Sequence, residues 1–382
     1  MSKKFRPPAL LFLFISLMLS ACGGGGGGGS SNVTVTYDYS EGSASTLSNA
    51  TTNLLLSSNS NLPYTAPDAT SYASLTAANN ALNSGGYPIA SQDTSASVAW
   101  ADGWTGSGVG VGIADSFNNN GQIDAHGDWV SLVTSSVAPE SNLSLQNVLG
   151  DGGCGGISLD QLVANMTSAY DFFEANQYHI VNNSWGIERA LRDCNGSYNG
   201  SLIPLSTWNS IVSEAVQAAL TSNETPYDAD MLFIYAAGNS GNVCTDGRLE
   251  NCNLFAAIFD GIRDSGTSGG ERVMYVGALN DAGTALTTYS LKAGDLKDDY
   301  IVAHDDILTS GDAAGTSFAA PRVAGAAALL RHKFPNLDGS AIKQILLQTA
   351  TDMGSPGVDP TYGYGKLNIP NAMSPQGSVT PR

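Results

Sequence analysis

Basic side chains are scarce in this sequence. Lys and Arg number 16 among 382 residues against 34 Asp and Glu, charged residues make up 13% of the chain, and the formal net charge is -18. No Lys or Arg lies between Arg6 and Arg189. A nucleic-acid partner is excluded on that ground, because phosphate binding with counterion release needs clustered Lys and Arg. Long apolar runs are also missing. The hydrophobic share is 42%, the mean hydropathy is -0.04, and the stretch Ala9–Leu19 is too short to span a bilayer stably, which excludes a polytopic membrane protein. No HExxH, CxxC or phosphate-binding loop occurs, so a catalytic metal has no support. Histidines number four, which leaves few candidates for a general base. What remains is an acidic chain with 44 glycines and a polar surface of Ser, Thr and Asn, long enough for one large domain or two ordinary ones.

Lys3, Lys4 and Arg6 precede the apolar stretch and a small-residue site, the layout of a secretory signal. Leu19-Ser20-Ala21-Cys22 resembles the bacterial lipobox, in which cleavage precedes a cysteine that is then diacylated. The resemblance implies a signal peptide at residues 1–21, lipidation at Cys22 and a membrane partner through that anchor. An ordinary signal cleaved nearby, with Cys22 incidental, is the alternative. Gly23 after the cysteine, with no acidic residue beside it, points to the outer membrane of a Gram-negative cell. Gly23–Gly29 is an uninterrupted glycine run, and the chain as far as Thr94 is rich in Ser, Asn and Thr, so residues 22–94 read as a tether without sustained periodicity. The globular part is expected at 95–374, with a short tail at 375–382.

Strand and helix signals alternate through the globular part. Val109–Ala114, Leu143–Val148, Ile180–Asn183, Met231–Ala236 and Val273–Val276 read as strands. Trp129–Val137, Ser158–Ala175, Trp208–Leu220, Ser317–Phe334 and Ser340–Thr349 read as helices, the first opened by His126-Gly127-Asp128. This alternation predicts an α/β fold, a mainly parallel sheet with helices on both faces. Functional groups should then gather at the carboxyl ends of strands.

Gly315-Thr316-Ser317-Phe318-Ala319-Ala320-Pro321 puts a serine at the start of a helix, where unpaired N–H groups and the positive dipole end can stabilise an oxyanion. For a lone serine, an N-cap is the simpler account. The whole string through Leu330 resembles the active-site serine segment of the subtilisin-like serine proteases, the subtilases. Thr105–Ser116 is similar to that family's aspartate strand, and His126-Gly127-Asp128-Trp129-Val130 to its histidine segment, with Asp128 and Trp129 standing where the family has Thr and a second His. Ten residues separate Asp115 from His126, enough to span roughly 33 Å when extended, so the two can meet. Asn182-Asn183-Ser184-Trp185-Gly186 resembles the segment lining the specificity pocket. Ile234–Gly241 resembles the segment whose asparagine serves the oxyanion hole, and Gly357–Asn368 resembles the closing turn. His304 is the rival to His126 as base.

The resemblance implies a subtilisin-like sheet, catalytic Asp115, His126 and Ser317, an oxyanion hole from Asn239 and the Ser317 N–H, and substrate contacts from Ser184, Trp185 and Gly186. A serine hydroxyl is a weak nucleophile near neutral pH, so an imidazole must take its proton and a carboxylate must hold the imidazole in the useful tautomer. The implied activity is hydrolysis of peptide bonds in protein or peptide substrates, without a cofactor for the chemistry, while a structural calcium is common in the family. A scaffold that keeps the cleft only to bind a peptide or partner is the alternative of another class. A passenger cut from a larger secretion system is a third, although nothing after Lys366 resembles a membrane barrel. Cys154, Cys194, Cys244 and Cys252 are an even set in an exported chain with three connectivities. The pairing Cys244–Cys252 with Cys154–Cys194 is expected, each bridge adding roughly 2 to 4 kcal/mol.

Overall fold

The computed structural model describes residues 38–44, 96–117, 126–149, 159–186, 190–192, 198–202, 230–241, 272–305 and 314–375, with single positions at 207, 210 and 213. Cys22, Cys154, Cys194, Cys244 and Cys252 lie outside these residues, as does nearly all of the helix expected at Trp208–Leu220.

In chain order the elements are α1 (Ala96–Ala101), β1 (Gly110–Asp115), α2 (His126–Val137), β2 (Asn142–Asn147), α3 (Leu159–Ala175), β3 (Ile180–Asn183), β4 (Ala190–Arg192), β5 (Tyr198–Leu202), β6 (Leu232–Ala236), β7 (Val273–Leu279), β8 (Tyr300–His304), α4 (Thr316–Lys333), α5 (Gly339–Gln348) and α6 (Ile369–Ala372). Six strands form one sheet in the order β2-β1-β3-β6-β7-β8, and every neighbouring pair is parallel. β4 and β5 form a separate antiparallel pair.

Successive strand residues point to opposite faces, and the sequence loads the two faces differently. Val111, Ile113, Ile180, Leu232, Ile234, Met274, Val276 and Ile301 join the aliphatic core shared with α2 and α4. On β6 and β7 the alternate positions include the aromatic residues Phe233, Tyr235 and Tyr275. Tyr170 of α3 lies 5.3 Å from Phe233 between ring centroids, and Tyr235 lies 6.3 Å from Tyr275. Both faces are therefore covered, which is why these strands read as nearly continuous apolar runs.

α4 crosses the aliphatic face against β3, β6, β7 and β8 and is buried along almost its whole length. Its small residues permit that placement. A Cβ at Gly325 would stand 2.6 Å from the Cβ of Val137, closer than real atoms approach, so glycine lets α2 and α4 touch. The buried partners also include a charge of each sign, Asp128 on α2 and Arg322 on α4.

Most expected elements appear with shifted ends. α2 starts at His126 itself, because its first turn packs under the end of β1, and β7 continues to Leu279. β8 adds a further buried strand, ending at His304.

Part of the stretch read as a tether is fastened down. Gly42 N–H donates to the carbonyl of Lys333 at 2.7 Å, taking up one of the carbonyls that a helix end leaves unpaired. Asn336 Nδ2 donates to Asp38 Oδ2 at 2.7 Å, and Tyr39 stands edge-on to Phe334 with centroids 5.8 Å apart. Lys333 Nζ lies 3.2 Å from Glu41 Oε1.

Candidate active site

Strand order reverses beside β1: the chain leaves β1 for β2 on one side and returns to β3 on the other. In a parallel sheet this opens a crevice at the strand carboxyl ends. Asp115 is the last residue of β1 and is fully buried. Its Oδ1 accepts from the Ser116 N–H at 2.7 Å and meets His126 Nδ1 at 2.7 Å. Oδ2 has no donor among the described residues, so the imidazole and one amide answer the carboxylate charge on a single side.

The first turn of α2 fixes this meeting. Gly127 N–H donates to the Ser116 carbonyl at 2.9 Å, and a Cβ at Gly127 would fall 2.6 Å from the ring of Phe117. Only glycine lets the helix start so near the end of β1. His126 keeps 37% of its side-chain surface open. Withdrawal from water opposes its charged form, but the charge of Asp115 and the hydrogen bond to it outweigh that penalty, and the net effect holds the imidazole above its ordinary value.

Ser317 is the second residue of α4 and half-buried. Its neighbour Phe318 packs on the His126 ring, with centroids 5.4 Å apart. Nδ1 faces Asp115, so Nε2 is the nitrogen left to the cleft side.

Asn239 follows β6. The backbone N–H of Thr316 donates to Asn239 Oδ1 at 3.0 Å, and the Thr316 hydroxyl donates to the same oxygen at 3.1 Å. A backbone N–H can only donate, so the atom facing it must be the amide oxygen, and the NH2 group points away. That group stands beside Gly315, 3.4 Å from where a Cβ there would be. Thr316 also accepts from Gly238 N–H at 3.1 Å. The part Thr316 plays in setting the amide was not predicted from sequence, and its place between Gly315 and Ser317 is the only signal it gave.

The end of β3 supplies Ser184, Trp185 and Gly186. Ser184 is fully buried and its Oγ accepts from Asn182 Nδ2 at 2.8 Å. Trp185 Nε1 donates to the carbonyl of Ala114 at 2.8 Å, pinning the indole to β1, and Gly186 is exposed.

The other histidines lie elsewhere. His304 Nε2 accepts from Lys366 Nζ at 2.9 Å, so the rival base is engaged away from Asp115. His179 stands at the amino end of β3, with Nδ1 3.5 Å from Asp230 Oδ2. His332 is near the far end of α4. Its Nδ1 accepts from Thr105 N–H at 3.1 Å, so the proton sits on Nε2, which donates to the Ser43 carbonyl at 3.1 Å. Trp104 packs edge-on to it at 5.3 Å. Burial pushes the His332 imidazole below its ordinary value against the opposing pull of the Ser43 carbonyl and Glu140.

Among the described residues no group of three or more His, Cys, Asp or Glu side chains assembles that could hold a metal. No described helix is long and apolar enough to cross a membrane.

A family model described as the subtilase family matches residues 70–365. An extracellular serine protease of Serratia marcescens is 41% identical over 64 residues, 17% of this chain and 6% of that protein. The autotransporter lipoprotein NalP of Neisseria meningitidis is 48% identical over 61 residues, 16% of this chain and 6% of the relative. Subtilisin Savinase of Lederbergia lenta is 26% identical over 238 residues, 62% of this chain and 70% of the relative. The chain thus spans a small fraction of the first two and most of the third. Among solved structures, the MycP3 protease of a type VII secretion system superimposes with a TM-score of 0.51 at 20% identity, over 76% of this chain and 89% of that one. That likeness concerns the fold.

Proposed function

The chain belongs to the subtilase family, and from that premise we propose that it is an exported serine endopeptidase working through Asp115, His126 and Ser317. The observation that carries the proposal is the 2.7 Å contact of His126 Nδ1 with the buried Asp115, made by a ring that packs on Phe318, the residue that follows Ser317.

In the proposed reaction the Ser317 Oγ forms a bond to the carbon of a peptide carbonyl, and its proton passes to His126 Nε2. Asp115 stabilises the imidazolium that results and keeps the ring in the tautomer with its proton on Nδ1. The carbonyl oxygen becomes an oxyanion, accepting from the Ser317 N–H and from Asn239 Nδ2. Collapse breaks the C–N bond, His126 returns its proton to the amine, and an ester remains on Ser317. Water then attacks the ester, giving its proton to His126, and the acid leaves as Ser317 is restored. Residues 184–186, which follow β3, are assigned to line the specificity pocket. Export belongs to the same reading: residues 1–21 are removed and Cys22 carries the lipid, in keeping with relatives named as extracellular or as a lipoprotein.

A fluorophosphonate probe tests the chemistry. Labelling of the folded chain, lost in Ser317→Ala and His126→Ala, is expected. A folded chain that takes no label favours the peptide-binding scaffold instead. Metabolic labelling with palmitate, lost in Cys22→Ser, tests the anchor separately.

A further inference from the structure

We infer that Asp305 and Tyr289 are positioning residues for the oxyanion hole, locking the peptide that precedes Ser317 and the loop that carries Asn239 into one register. The inference rests on the protease reading above and adds two residues that no motif marks.

Asp305 follows β8 directly and is 3% exposed. Its Oδ2 accepts from the Gly315 N–H at 3.0 Å and from the Tyr289 hydroxyl. Gly315 is the cap of α4, and its own carbonyl accepts from Phe318 N–H at 2.9 Å, so the carboxylate grips the turn two residues before the nucleophile. The other half of the hole is held by the same tyrosine segment. The Tyr289 carbonyl accepts from Gly241 N–H at 2.7 Å, and Leu291 N–H donates to the Gly238 carbonyl at 3.0 Å. Asn239 lies between those two ties. Tyr289 thus binds the asparagine loop through its backbone and the nucleophile turn through its hydroxyl, by way of Asp305.

The two proposed oxyanion donors come from segments far apart in the chain. Thr316 and Asn239 are 77 positions apart, and their direct contact is one link between the segments. The Tyr289–Asp305 bridge is a second. A hole that works only when both donors lie within about 2.7 to 3.1 Å of the oxyanion needs the relative placement fixed, and a displacement of about 1 Å can cost on the order of a hundredfold in rate. Keeping a buried carboxylate is costly unless it is well bonded, and bonds to a charged acceptor are roughly twice as strong as neutral ones. The fold keeps this one and aims two donors at a single oxygen.

The test compares Asp305→Ala, Asp305→Asn and Tyr289→Phe in the full chain, with active sites counted by fluorophosphonate. For a peptide amide substrate, Asp305→Ala should lower kcat by about tenfold to a hundredfold with KM little changed, the pattern of an interaction felt in the transition state. Affinity for a peptide boronate should fall in parallel. Asp305→Asn keeps an acceptor for Gly315 and should recover most of the rate. Tyr289→Phe removes one hydroxyl from a half-buried ring and should fall between them, and it carries the test alone if Asp305→Ala does not fold. An active wild type whose variants lose thermal stability but keep wild-type kcat per labelled site overturns this role alone. A wild type that neither labels nor hydrolyses overturns the protease reading and this role together.

Discussion

α4 has two ends, each attended by a histidine, and the two rings are pushed in opposite directions. At the amino end His126 is held by the charge of Asp115 and stays partly open, and it rises above the ordinary imidazole value. At the carboxyl end His332 is enclosed by Trp104 and the docked residues 38–44, bonded by backbone groups on both nitrogens, and it falls below that value. The side chain is the same; what differs is the partner. A carboxylate prepares a ring to receive a proton, whereas a backbone N–H on one nitrogen and a carbonyl on the other require it to remain neutral. One end is suited to proton transfer and the other to fastening.

The sharpest way to break this comparison is Asp115→Asn. It should leave the fold intact and lower kcat by about 10^4, the scale expected when the imidazole is held in the wrong tautomer. Circular dichroism with steady-state kinetics on a peptide amide would check both halves. Next, kcat/KM of the wild type should rise with pH through a midpoint above about 6.5, because only neutral His126 can act as base and Asp115 holds its charged form to higher pH. A midpoint below that value would contradict the environment described for the ring.

At the opposite pole, His332→Ala should leave kcat unchanged but cost about 1 to 3 kcal/mol, since the Thr105 N–H loses its acceptor. Thermal unfolding with turnover measured on the same sample would separate the two effects. The sign of its pH dependence is also fixed. With the folded value depressed, the stabilisation is present above about pH 6.5 and is lost as pH falls through the folded value, so the protection of the Gly42 amide relative to its intrinsic exchange rate should fall in acid. The smallest effect is expected of Glu41→Gln, at most about 0.5 kcal/mol and weaker in salt, because the Lys333 pair is open to solvent on the Glu41 side.

That Asp115, His126 and Ser317 lie at the ends of regular elements was legible in the sequence, because such ends carry local signals: a glycine-rich strand entry, a helix start, a small-residue turn. The parallel sheet was legible for the same reason, through short β-branched runs spaced by helices. Two features had no such mark. Residues 38–44 dock through the Gly42 amide, the Asp38 and Glu41 carboxylates and one aromatic contact at Tyr39, so no periodicity announces them. Asp305 acts through a single carboxylate whose partners, Gly315 and Tyr289, come from two other segments. A relationship of that kind exists only once the chain has folded.

The fastening of residues 38–44 has a spatial corollary for the anchor proposed at Cys22. Sixteen positions separate Cys22 from Asp38, a leash that reaches at most roughly 55 Å when drawn out, and it is attached at the carboxyl end of α4. Ser317 lies at the other end of that helix, roughly 25 Å further along its axis. A lipid at Cys22 would therefore be tied to the protein at the His332 pole, with Ser317 at the opposite end of the same helix.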